Sequence, residues 1–171
     1  DYRGYGTSSG YPKADNLVSD APVVYDALPD VLKEYQLNPA QVYVMGRSLG
    51  SVPAVETAVY AGEQLGGLIL ESGFSDTFGL LSRLGVQVAE ANEERDGFRN
   101  AHKMEQVTVR TLVLHGMNDV LIPPTDGQEL HKNCAATEKH LELIPGAGHN
   151  DIMITGMRQY FDAIGSFVLK S

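Results

Sequence analysis

The sequence predicts an α/β fold, a mainly parallel sheet with helices on both faces. Short apolar runs bounded by glycine or proline recur along the chain, as "QVYVMG" (41–46), "GGLILES" (66–72), "RTLVLHG" (110–116) and "HLELIPG" (140–146). Three of these are dense in Val, Ile and Leu and lack a period of two, which suits parallel strands covered on both faces. Segments with helical spacing lie between them.

The first of these segments places Leu17, Val18, Ala21, Val24, Tyr25, Leu28, Val31, Leu32 and Tyr35 at intervals of three and four. Pro22 and Pro29 fall inside it, so a kinked or broken helix is expected. After the first strand, Val52, Val55 and Val59 mark a helix with Pro53 in its first turn, where a missing N–H does no harm. Residues 73–109 are longer than a simple crossover and mixed in polarity. They read either as a small helical excursion over one edge of the sheet or as a crossover helix plus loop. Phe74, Phe78, Leu80, Leu81 and Leu84 make that stretch a possible pocket lining, since ligands of such folds bind beyond the carboxyl ends of the strands. Met153, Met157, Tyr160, Phe161, Ile164 and Val168 form the stripe of a last helix. Residues 1–171 read as one domain, without repeats or linkers.

Composition excludes several classes of function. The chain has 171 residues, 43% hydrophobic and 20% charged, with a formal net charge of −9. No basic stripe is present for nucleic acid or an anionic membrane surface. The single cysteine, Cys134, rules out an internal disulfide framework and a cysteine zinc site, and reads as a half-buried small residue in a helix. No apolar run reaches membrane-spanning length, and no signal peptide is visible, so a soluble intracellular (cytoplasmic) protein is the default expectation.

The stretch "MGRSLGSVP" (45–53) sets Gly46, Ser48 and Gly50 around one serine, with a strand before it and a helix after. A G-x-S-x-G turn between strand and helix exposes the serine hydroxyl on a strained bend, and glycines flank it because side chains would collide with neighbouring elements. A serine nucleophile needs a base, and the base needs an orienting carboxylate. Asp119 follows the strand "TLVLHG", and His149 follows "HLELIPG". The order Ser48, Asp119, His149 is that of the nucleophile-elbow hydrolases, and all three lie at carboxyl ends of strands. Ser48 would attack an acyl carbonyl, His149 would carry the proton, and Asp119 would fix the imidazole. Glu71, at another strand end, is the main rival acid, with Asp151 and Asp76 behind it. Asp119 could alternatively serve only to cap the helix after Pro123. His102, His131 and His140 lie in polar contexts and read as solvated, while His115 reads as a packed, hydrogen-bonded residue. Arg47 and Asn150 flank nucleophile and base, and read as local packing or hydrogen-bonding residues.

These motifs resemble the α/β-hydrolase family. "DYRGYGTSSGYP", "GRSLGSVPA", "LHGMNDVLIP" and "PGAGHND" match in order over the whole length the branch of small serine hydrolases that includes protein depalmitoylases and bacterial homologues. The resemblance implies esterase, thioesterase or amidase chemistry on a small-molecule or acylated substrate, with no cofactor and no metal. The backbone N–H of Leu49, next after the nucleophile, would be one oxyanion donor. The resemblance also implies that "DYRGYG" closes a fourth strand. Three earlier strands would precede it, the third carrying a His-Gly loop with the second oxyanion donor. The chain therefore resembles the carboxyl-terminal part of such a domain. Its missing amino-terminal segment is expected from the same or another chain, and "QVYVMG" should have an unpaired edge. A serine carboxylesterase or thioesterase is the leading expectation. A peptidase or amidase of the same fold, and a non-catalytic binding protein on a truncated scaffold, are the alternatives.

Overall fold

The computed structural model describes residues 1–169. Helix α1 (Asn16–Glu34) leads to β1 (Tyr43–Arg47), and a 3₁₀ turn (Ser48–Gly50) runs straight into α2 (Ser51–Ala61). Strand β2 (Gly67–Glu71) is followed by three short helices, α3 (Thr77–Arg83), α4 (Glu93–Asp96) and α5 (Asn100–Met104). Then come β3 (Thr111–Gly116), α6 (Pro124–Asn133), β4 (Lys139–Ile144), α7 (Ile152–Thr155) and α8 (Met157–Leu169). The four strands form one sheet in the order β1-β2-β3-β4, and every pairing is parallel. Among the described residues no strand precedes α1.

Burial explains the apolar runs. Every residue of β2 and β3 is buried, whereas β1 and β4 alternate or are half-exposed at the two sides of the sheet. Leu68, Leu70 and Val113 pack on one face with Val55 and Ala58 of α2, Met104 of α5 and Leu130 of α6. Ile69, Leu112, Leu114 and Ile144 pack on the other with Tyr160 and Phe167 of α8. A central strand with helices on both sides has no solvent face, so its sequence has no reason to alternate. Because every pairing is parallel, the carboxyl ends of the strands, and so every β-to-α turn, lie at the same edge of the sheet. That edge holds the ends of β1, β2, β3 and β4.

Three local expectations are corrected. Helix α1 is continuous through Pro22 and Pro29 rather than broken at them. Each proline deprives only the carbonyl four residues earlier, and α1 is largely solvent-facing, so water can replace the lost donors. Part of its stripe faces outward too, with Val24 69% exposed. The last helix is interrupted: Gly156 separates α7 from α8, and a Cβ there would collide with Ile144. Cys134 is fully buried at the residue after α6, not half-buried within it, and its Sγ lies 3.7 Å from the carbonyl oxygen of Val107.

Between β2 and β3 the chain divides into two parts. Phe74 is fully buried against Val52 and Ile122, and Asp76 caps α3 by accepting the N–H groups of Phe78 and Gly79 at 3.3 and 2.7 Å. Leu84, Val86 and Val88, by contrast, stay about half-exposed. Helix α5 returns to the main helical layer between α2 and α6.

Candidate active site

Strand β1 ends at Arg47 and the chain turns at once through Ser48, whose φ of +51° lies in the left-handed region. That conformation is unfavourable for a side chain with a Cβ, and it lifts the hydroxyl out of both strand and helix. Gly46 makes the bend feasible, because a Cβ there would collide with the carbonyl oxygen of Gly50 and with Ala54. Gly50 does not share that requirement. A Cβ there would meet only the Tyr2 hydroxyl, at 3.8 Å.

His149 sits in the loop between β4 and α7. Gly146 takes φ +75° in that loop, and Gly148 donates its N–H to Asp151 Oδ1 at 2.6 Å. The loop is tied to its neighbour after β3 by Asn118 N–H donating to the carbonyl of Ala147 at 2.8 Å. Asp119 lies in that neighbouring loop with its side chain fully buried. Its Oδ1 accepts the N–H groups of Leu121 and Ile122 at 3.0 and 2.8 Å, and its Oδ2 lies 2.7 Å from Nδ1 of His149. His149 Nε2 in turn lies 3.1 Å from Ser48 Oγ.

The three residues singled out in the sequence thus form one hydrogen-bonded chain, although 101 positions separate Ser48 from His149. Asp119, an acceptor through both oxygens, makes Nδ1 the protonated nitrogen of a neutral His149. Nε2 is then a lone-pair acceptor facing the serine O–H. The buried carboxylate keeps two backbone donors besides the imidazole, so its charge is met by three hydrogen bonds.

The rival acids are engaged elsewhere. Glu71 is buried, with Oε1 accepting from Arg47 Nε at 2.9 Å and Oε2 accepting from the Tyr160 hydroxyl at 2.7 Å. Burial and the Glu71 carboxylate push the Tyr160 hydroxyl well above its usual range, so it remains a donor. Asp76 caps α3, and Asp151 holds Gly148. His115 is fully buried, and its Nε2–H donates to the carbonyl of Ile122 at 2.8 Å, beside Asp119 Oδ2 at 3.6 Å. Burial holds its pKa below 6.5, outweighing the hydrogen bond to Ile122 and the nearby Asp119 charge, and it serves as a neutral strut under the acid loop. His102 and His140 are exposed, while His131 is half-buried. Among the described residues no group of three or more His, Cys, Asp and Glu side chains is placed to hold a metal ion.

A match to the prolyl oligopeptidase family spans residues 12–170. The chain belongs to that family. Alpha/beta hydrolase domain-containing protein 17B of Xenopus laevis is 33% identical over 174 residues, covering 99% of this chain and 55% of the relative. The protein of the same name from Homo sapiens is 33% identical over 172 residues, covering 98% of this chain and 54% of the relative. The chain therefore spans about half the length of these curated relatives. An esterase of Pyrococcus furiosus superposes with a TM-score of 0.75 at 15% identity, over 99% of this chain and 68% of the esterase. The fold is that of the α/β-hydrolases.

Within this family member, Leu49 follows Ser48 as the second residue of the 3₁₀ turn. A groove of about 590 Å³ opens beside Ser48 between β1, α1 and α2, lined by Leu17, Val24, Met45, Leu49 and Pro53 among others. Among the described residues, strand β1 pairs with β2 alone, and Met45 on it is 45% exposed. Arg47 is a hydrogen-bonding residue, as the sequence reading has it, but its partners are distant along the chain. It contacts the loop that carries His149, donating from Nη2 to the His149 carbonyl at 2.6 Å and to Asn150 Oδ1 at 3.0 Å. Its position beside Ser48 was the one available signal.

Proposed function

We propose that this chain carries the catalytic triad of a serine hydrolase acting on carboxylic esters or thioesters, with Ser48 as nucleophile, His149 as base and Asp119 as orienting acid. The observation that supports this most strongly is the continuous hydrogen-bonded chain from Asp119 through His149 to a serine held at positive φ. As Ser48 Oγ attacks the acyl carbonyl, its proton passes to His149 Nε2, and the developing imidazolium is stabilised by Asp119. Collapse of the tetrahedral intermediate expels the alcohol or thiol, which takes that proton, and leaves an acyl-Ser48 ester. Water then attacks, giving its proton to His149. The carboxylic acid departs as Ser48 recovers its proton.

The Leu49 N–H is the proposed donor to the oxyanion from this segment. A second donor, and a strand for the open side of β1, would come from polypeptide beyond these residues. The relatives' greater length and the exposed side of β1 support that reading. Removing one oxyanion donor from a hydrolase costs roughly 10²–10³ in rate, so the hydrolase needs that second donor for full turnover. The family's description favours a second reading, a peptidase of the same triad.

In the full-length protein a fluorophosphonate probe is expected to label Ser48, and Ser48→Ala to lose both labelling and p-nitrophenyl acetate hydrolysis. Persistent labelling in the variant would sink the proposal. Rates on esters of increasing chain length, set against a prolyl anilide, separate the two substrate classes.

A further inference from the structure

We infer that Arg47 is a positioning residue for the base, an inference that rests on the triad reading above. The chain holds His149 from two sides. One side is the Asp119 carboxylate on the ring. The other is the Arg47 guanidinium on the backbone of the base loop, which donates to the His149 carbonyl and to the Asn150 side chain. Arg47 precedes the nucleophile directly, so one residue links the strand that ends in Ser48 to the loop that presents the base.

The guanidinium is itself held in place. Arg47 and Glu71 are register partners on β1 and β2, and Nε donates to Glu71 Oε1 at 2.9 Å. The Glu71 side chain is only 7% exposed, against 43% for Arg47, so the carboxylate is a fixed anchor under a more accessible cation. Tyr160 on α8 donates to the second carboxylate oxygen at 2.7 Å. The connection thus runs from α8 through β2 and β1 to the loop after β4, and passes over β3.

The base loop needs such a tie because of its own composition. Residues 145–151 join β4 to α7 and include Gly146 and Gly148, whose backbones are the least restricted of any residue. A base displaced by about 1 Å can cost on the order of 10²-fold in rate. Arginine suits the task because its planar fork can serve Glu71 and the loop at once, with donors set at fixed angles. A lysine here would keep the charge beside Glu71 but could not span both partners.

The test uses the full-length protein and p-nitrophenyl acetate, with Ser48→Ala as the baseline. R47K is expected to lower kcat about 10- to 100-fold with KM changed far less, and to keep the thermal midpoint of the parent within a few degrees. R47A is expected to lose at least as much, and to regain part of its rate when guanidinium is added at low millimolar concentration. The parent and S48A should gain nothing from guanidinium. Parental kcat in R47K overturns the proposal, as does a folded, slow R47A that guanidinium does not restore. If R47A does not fold, R47K decides alone, since it retains a cation for the buried Glu71 carboxylate. The triad reading fails separately: it falls if S48A hydrolyses the ester at the parental rate, whatever the Arg47 variants do.

Discussion

At the scale of single residues, the site shows how a few side chains are placed by hydrogen bonds that they did not choose locally. Asp119 accepts from Leu121 and Ile122, and the loop that this fixes carries the carbonyl of Ile122 onto His115. His115 must be neutral to sit there, because burial depresses its pKa below 6.5 in the folded chain. The unfolded chain, with an ordinary histidine, therefore binds more protons than the folded one between that depressed pKa and about 6.5. Stability rises with pH through this window and is lost as the pH falls from 6.5 towards the folded pKa. The thermal midpoint is expected to drop over that acid interval, and His115→Gln, which can still donate to Ile122, is expected to flatten the drop. Midpoints measured at closely spaced pH values check this, and an unchanged slope in the variant would contradict it.

At the scale of elements, what was legible in the sequence was whatever depends on near neighbours. Strands β2 and β3 read as unbroken apolar runs because both of their faces are covered. Leu70 illustrates the energetics: it is fully buried between β1 and β3 and packs against α2. Leu70→Ala is expected to lower the unfolding free energy by about 2–5 kcal/mol, read from denaturant titration. The continuity of α1 was not legible, because the cost of an internal proline depends on whether water reaches the freed carbonyl, and solvent access is a tertiary property. Nor was the break at Gly156, which is set by contact with Ile144 across from it. The three residues of the hydrogen-bonded chain were legible from their places at strand ends. Arg47's partners were not, since they lie 24, 102 and 103 positions away and follow no local pattern.

At the scale of the whole molecule, a four-stranded parallel sheet gathers every strand-to-helix turn at one edge, and the candidate site occupies three of those turns. Distances of 2.7 and 3.1 Å between residues of three separate turns therefore depend on the entire sheet register. Ser48 is the point where that global order is held against a local preference, since its φ of +51° suits glycine better than serine. A left-handed conformation costs an ordinary L-residue roughly 1–2 kcal/mol. Comparing Ser48→Gly with Ser48→Ala removes the hydroxyl from both and leaves this backbone difference. The glycine variant is expected to be the more stable by about 1 kcal/mol, as chemical denaturation would show, and equal stability would mean that the bend is unstrained. If Ser48 is the nucleophile proposed above, function and endurance pull this position in opposite directions, and a descendant released from turnover would gain robustness by exchanging its serine for glycine.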